Sequence, residues 1–565
     1  MKRFSRLGFV SLLVVVASAV VGGLLGGRVL AGGSSLNDEL RLYTQALDTV
    51  QREYVDEVPA DQLVSSSIRQ MLRTLDPHSN FLEPTEHDRL QERQRGSYYG
   101  LGITVQSVDG NITVVSPFEG TPAHRLGIRA GDIISRIDGE DARGMSIEDA
   151  VKRLRGPKGT SVAVTIVRRG YDEPLEFTVI RDEIPLHSVP YYFMIARDTG
   201  YVRLIDFNET TACRPGEGEP CQGELETAIE KLRGQGATAI LLDIRDNPGG
   251  LLDQAFAVSN LFLHKGQLVV YTRGRTKRDE SNYITDGDSR FANLPLVLLT
   301  SQHSASASEI VAGAIQDHDR GLIVGQRTFG KGLVQTILPL RTARGYALAL
   351  TTARYYTPSG RSIQRDYGST ALEDYVVLPD DRGCEEENTG EPKFTDAGRK
   401  VYGGDGIAPD YCVDPAQPTK LVSQLESRHA FFDFSMLYDS ADNEKAGAVG
   451  AAGTRSEQRS EKVKRLHVDF QVDDAMWKDF AAFLDREKIE VDGEELAKER
   501  ETVTHRIYEE ILRQVFGEGE ARERTLQWDP QIQKALQVVP KARLLLEDPE
   551  QFIAERQAKA RVASR

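Results

Sequence analysis

The stretch Ala239-Ile-Leu-Leu-Asp243-Ile-Arg245-Asp-Asn247-Pro-Gly249-Gly250 decides the architecture of this chain. An apolar run from Ala239 to Ile244 reads as a strand, the Asp/Asn/Pro/Gly segment breaks it, and Leu252–Leu261 then reads as a helix. The same alternation recurs on both sides. Leu296–Thr300, Gly321–Val324 and Ala347–Thr351 read as strands, and Leu225–Leu232 and Ser306–Gln316 as helices. Strands and helices in alternation predict an α/β layered core from Gly200 to about Gln364.

Upstream of the core, from Tyr99 to about Arg169, the pattern changes to short β-branched strands between Gly, Asp and Pro turns. These are Ile103–Val105, Ile112–Val115, Ile133-Ile134 and Val162–Ile166, with helical pieces at Pro122–Leu126 and Ser146–Leu154. With Gly127-Ile-Arg-Ala-Gly131-Asp132 and Ile137-Asp138-Gly139, this order closely resembles a PDZ domain. Such a domain adds a peptide as an extra strand and holds its terminal carboxylate on backbone N–H groups. The resemblance implies that Gly100, Leu101, Gly102 and Ile103 bind peptide; a tight glycine turn is the plain alternative. Arg168 or Arg169, at the end of the last strand, is a candidate to report peptide binding to the core, although a charged strand end is usually just solvated.

The chain has 565 residues, too many for one core. Its net charge of −15 gives no reason to expect nucleic acid as a partner. Lys2, Arg3 and Arg6 precede an uncharged run of 21 residues, Leu7 to Gly27, closed by Arg28. That is long enough for the ~20 residues that span a bilayer, and it predicts an inner-membrane anchor, with a cleaved export signal as the alternative. Either places the rest of the chain outside the cytoplasm, in a periplasmic or cell-envelope setting. The cysteine pairs Cys213/Cys221 and Cys384/Cys412 agree, since each brackets a loop-like segment as a disulfide would; neither has zinc-ligand spacing. Residues 37–95 read as a helical subdomain whose apolar faces allow a homodimer. Residues 416–467 read as a linker region and 468–565 as a helical C-terminal domain without visible chemistry.

Three segments carry candidate chemistry. Gln302-His-Ser304-Ala-Ser306-Ala307-Ser308-Glu309 opens a helix after an apolar strand, where free N–H groups and small residues suit a nucleophilic serine. Ser306 and Glu309 also satisfy a capping box, which needs no catalysis. Thr328-Phe329-Gly330-Lys331-Gly332 supplies an amine in a tight, partly apolar setting, and Gln335 falls on the same side of the following strand. A surface lysine in a glycine turn explains that loop equally well. A phosphate loop does not, because Gly332 stands where a Ser or Thr is required. The Pro248-Gly249-Gly250 turn can present an N–H to an oxyanion, or simply join a strand to a helix.

In this order, and with Tyr355-Tyr-Thr-Pro358-Ser-Gly360-Arg361-Ser-Ile363-Gln364, these segments resemble the carboxyl-terminal processing peptidases, or tail-specific proteases. Leu75-Asp-Pro-His78-Ser79 and Phe394–Gly404 match that family as well. The resemblance covers about residues 37 to 415. It implies Ser306 as nucleophile, Lys331 as general base, Gln335 as its support, and the amides of Gly249 and Ala307 as the oxyanion hole. It implies no metal, nucleotide or other cofactor, and polypeptides with exposed C-termini as substrates. The expected domains are a leader (1–36), a helical subdomain (37–95), a PDZ domain (96–185), an α/β serine protease core (186–415), a linker region (416–467) and a helical C-terminal domain (468–565). The alternatives are a catalytically idle peptide-binding scaffold and an acyl-transfer or hydratase-like enzyme with a similar oxyanion hole.

Overall fold

A computed structural model of the chain describes residues 36–168, 171, 173–213, 223–287, 289–368, 375, 390–440 and 464–563. The apolar run Leu7–Gly27, Arg169, Cys221, Cys384 and the linker core at 443–462 lie outside the described residues. Among the described residues no helix is long and apolar enough to cross a membrane. Cys213 and Cys412 are both disulfide-bonded.

The chain divides into two units, Met1–Phe81 and Leu82–Arg565. In the first, helices Leu36–Glu53 and Ala60–Arg73 form where the apolar spacing predicts them. Pro59 and Asp61 start the second, a proline before the first turn and an acid within it. The first helix buries none of its residues, and Leu36, Leu40, Tyr43 and Val50 are exposed.

The second unit begins with helix Pro84–Arg95 and the PDZ domain. Five antiparallel strands run in the order Ile103–Val108, Asn111–Pro117, Ile133–Ile137, Ser161–Val167 and Leu175–Ile180. Alternate residues Val162, Val164 and Ile166 turn inward onto Ile112, Val114 and Ile134. Helix Ile147–Leu154 closes the sheet, and Ser146 caps it by accepting from the Asp149 N–H at 3.1 Å.

The core is a six-stranded sheet in the order Tyr191–Ala196, Thr199–Arg203, Ala239–Asp243, Leu296–Thr300, Leu322–Gly325, Tyr411–Cys412. The first pair is antiparallel and every later pair parallel. All five residues of Ala239–Asp243 and of Leu296–Thr300 are buried, as parallel strands covered on both faces require. Ile240, Leu242 and Leu298 pack with helices Glu224–Gly234, Leu252–Phe262 and Ala307–Asp317. Ala239, Leu241, Val297 and Leu299 face the other way, onto Ile532, Ala535, Val538 and Leu545 of helix Pro530–Glu547. Helix Pro530–Glu547, in the helical region expected at 468–565, is therefore a layer of the core. A second, antiparallel sheet joins Ser281–Ile284, Leu268–Gly274, Ala347–Tyr356 and Leu333–Pro339. Helices between Lys420 and Ile511 build a small core of their own around Phe431, Phe434, Phe480 and Phe483.

Candidate active site

The Leu296–Thr300 strand ends in a tight turn from which Ser306 opens the Ala307–Asp317 helix. Ser306 has φ 56° and ψ −112°, a backbone state that non-glycine residues rarely hold without support. The support comes from the Asp243–Gly250 turn. The Asn247 carbonyl accepts from the Ala305 N–H at 3.0 Å and from Ser308 Oγ at 2.8 Å. Ser304 Oγ donates to the Ile244 carbonyl at 2.8 Å. Ser304, Ala305, Ala307 and Ser308 are buried and only Ser306 in this run is partly open, so the small residues serve close docking of the turn. The Ala307 N–H has no hydrogen-bond partner among the described residues and lies at the positive end of the helix.

Glu309 does much more than cap. It is fully buried and collects four donors from two segments. Oε2 accepts from the Ser306 N–H at 2.8 Å and the Lys331 N–H at 2.9 Å. Oε1 accepts from the Gly330 N–H at 2.7 Å and Thr328 Oγ1 at 2.6 Å. Burial pushes its carboxyl up to about 7, and the four donors pull the other way. The buried Tyr355 hydroxyl donates to the carbonyls of Lys331 and of Ser306, the latter at 3.2 Å. Burial holds that phenol well above its ordinary range, so it is a neutral donor. The serine and the lysine thus share one carboxylate through their amides and one phenol through their carbonyls.

Two expected residues behave differently from the sequence reading. Gly249, expected to offer its N–H to an oxyanion, donates it to Asn247 Oδ1 at 2.9 Å. The next amide, of Gly250, has no partner among the described residues, and Gly250 is exposed where Gly249 is buried. Gly249 instead provides clearance: its φ is 97°, and a Cβ there would lie 2.8 Å from both Ser306 Cβ and the Ala307 nitrogen. Gln335 lies in the strand Leu333–Pro339, but a bulge between Val334 and Gln335 breaks the simple alternation from Lys331. Its Nε2 is buried without a hydrogen-bond partner among the described residues.

In the PDZ domain Leu101, Ile103, Phe118, Ile147, Val151 and Leu154 line a groove of about 260 Å3. The N–H groups of Leu101 and Gly102 have no partner among the described residues. Gly102 has φ 78°, and Thr121 Cβ stands 2.3 Å from where its Cβ would be. Gly100 ends the short strand that pairs with Asp182–Pro185. Arg168 donates to Asp132 at 2.6 Å and to the Gly127 carbonyl at 2.7 Å, serving the domain's own fold.

Comparison with known proteins matches the model of peptidase family S41 over residues 198–380 and that of the PDZ domain over residues 90–167. The carboxy-terminal-processing protease of Bartonella bacilliformis is 42% identical over 351 residues, 60% of this chain and 76% of that protein. This chain belongs to the carboxy-terminal processing protease family. The carboxy-terminal processing protease CtpA of Bacillus subtilis is 33% identical over 67% of this chain and 80% of its own length. Among solved structures, the photosystem II D1 C-terminal processing protease is 28% identical over 68% of this chain and 94% of that one, with a TM-score of 0.34. The chain is accordingly a serine-type peptidase with a PDZ domain. The sequence of this protease points to Ser306 and Lys331, but not to Glu309 or Tyr355 as the groups that join them. In the sequence Glu309 reads only as the acid of a capping box with Ser306, and its partners at Thr328–Lys331 become visible only when the loops meet.

Proposed function

We propose that this protease cuts extracytoplasmic proteins near or from their C-terminal tails, with Ser306 as nucleophile and Lys331 as general base. The observation that carries the reading is the double tie at Glu309 and Tyr355, which holds the two backbones against each other. Lys331, neutral, takes the proton of Ser306 as Oγ attacks the scissile carbonyl carbon. The resulting oxyanion is held by the Ala307 amide and by the Pro248-Gly249-Gly250 turn, whose unbonded amide is that of Gly250. Collapse breaks the C–N bond, Lys331 returns the proton to the leaving amine, and an ester to Ser306 remains. Lys331 then takes a proton from water as its oxygen attacks the ester carbon, and returns that proton to Ser306 Oγ as the ester C–O bond breaks and the carboxylic product leaves. The Gln335 carboxamide, half-buried on the adjoining strand, orients the amine by accepting from it at Oε1.

The apolar PDZ groove suits an apolar C-terminal residue whose carboxylate reaches the Leu101 and Gly102 amides. The leader anchors the protein to the inner membrane or exports it, and the exposed apolar stripe of Leu36–Glu53 offers a surface for a second copy. The decisive test is cleavage of an unfolded, tail-bearing protein by the full chain and its variants. Ser306→Ala and Lys331→Ala should each lose about 10³-fold or more in kcat while remaining folded. Wild-type turnover by Lys331→Ala would sink the assignment of the base.

A further inference from the structure

Arg245 lies in the turn that docks against Ser306, and its guanidinium has two sets of partners. Nε and Nη2 pair with the fully buried Asp243, at 3.0 and 2.6 Å. Nη1 reaches across to the C-terminal region, to Asp529 Oδ2 at 2.6 Å and Gln531 Oε1 at 2.7 Å. Those two residues begin helix Pro530–Glu547, the layer that covers the outer face of the core sheet. We propose that Asp529 is a positioning residue for the oxyanion-binding turn, so that the C-terminal region takes part in turnover as well as in the fold.

The charge count motivates this. Asp243 is flanked by Arg203 at 2.8 Å and by Arg245, and Tyr201, which donates to it at 2.8 Å, stays neutral because burial raises its phenol. Two guanidinium groups thus face one carboxylate until Asp529 supplies the second. Arg245 keeps only 13% of its side-chain exposure, so water replaces that partner poorly. The turn then transmits any displacement. The Arg245 N–H binds Asp243, the Asp246 N–H binds Ser301 Oγ at 2.9 Å, and the Asn247 carbonyl accepts from the Ala305 N–H at 3.0 Å and from Ser308 Oγ at 2.8 Å, on either side of Ser306. A shift of the Arg245 end therefore moves the Gly249-Gly250 amides relative to the Ser306 hydroxyl. Interactions of that kind act on the transition state and leave ground-state binding largely alone.

Asp529 divides its two oxygens, which makes the role testable. Oδ1 caps the helix by accepting from the Gln531 N–H at 2.8 Å and the Ile532 N–H at 3.4 Å, while Oδ2 takes Arg245. Asp529→Asn keeps an equally good cap and turns an NH2, which cannot accept, toward the guanidinium. The proposal rests on the Ser306–Lys331 reading, so Ser306→Ala is run beside it in the same full-length assay. Asp529→Asn should melt like the wild type and keep its KM. Its kcat, and its rate of labelling by a fluorophosphonate, should both fall about tenfold, less than the ~10²–10³ lost when an oxyanion donor is deleted. Wild-type kcat in Asp529→Asn, with Ser306→Ala inactive, overturns the positioning role; cleavage by Ser306→Ala overturns the site itself. If Asp529→Asn does not fold, Asp529→Ser, a cap too short to reach Arg245, replaces it. Failure of both to fold assigns Asp529 to the fold alone and overturns the proposal.

Discussion

Glu309 is a single carboxylate on which two loops converge, and its burial has a thermodynamic consequence. Because burial raises the folded group from 4.5 to about 7, the folded state binds a proton that the unfolded chain does not hold between those values. Stability contributed by this group is therefore greatest below pH 4.5 and is lost as the pH rises through about 7. Relative to Glu309→Gln, which does not titrate, the wild type should gain on the order of 3 kcal/mol as the pH falls across that window. Urea midpoints of both proteins at pH 8 and pH 5 measure it, and parallel shifts would contradict it. Gly249 is the complementary case, a residue defined by what it lacks. Gly249→Ala must place a Cβ 2.7 Å from the Ala305 carbonyl oxygen at φ 97°. The variant should lose at least ~1 kcal/mol from backbone strain alone, and most of its turnover as the turn backs away from Ser306. Denaturant melts and kcat report the two losses separately. Ser306, Lys331 and their neighbours are legible as motifs because residue types and order mark them. The Gly249 amide is not, because whether an N–H points at solvent or at Asn247 depends on side-chain rotation that no residue order records.

At the scale of elements, the helices and strands follow their patterns closely, and the departures are local. The helix at Ile147–Leu154 is a serine-capped amphipathic piece, as its residues suggest. It forms one wall of the groove through Ile147, Val151 and Leu154, opposite the edge of the Ile103–Val108 strand. Substituting Val151 by Asp puts a carboxylate where an apolar side chain would dock. KM for a tail-bearing substrate should rise at least about tenfold, while kcat on a short peptide without that tail stays unchanged. An equal loss on both substrates would separate the groove from substrate capture. The bulge at Val334/Gln335 is the opposite kind of element, invisible in sequence. One extra residue on a strand changes which side chains share a face, and the alternation rule that aligns Lys331 with Gln335 holds only on an unbroken strand.

Across the whole molecule, the second unit is held together by a sheet with two dressed faces. One is covered by helices close in sequence to the strands, the other by a helix that begins more than two hundred residues after the Leu296–Thr300 strand. Ile532, Leu545 and Phe552 are fully or nearly fully buried there, each worth ~1.5–3 kcal/mol. A chain ending before Leu526 should therefore not yield a soluble, folded core, given a typical reserve of ~5–15 kcal/mol. Soluble expression with a cooperative melt would contradict this. By itself the sequence determined the kinds of element, the PDZ and α/β classes, and the segments that carry the serine and the lysine. Each of those rests on local spacing, on turn chemistry or on residue type. Tertiary structure alone decided which helix covers the outer face, that Glu309 and Tyr355 bind both loops, and that Asp529 meets Arg245. Such contacts join residues far apart along the chain, and their partners are chosen by complementary shape and charge in space, which adjacent residues do not encode.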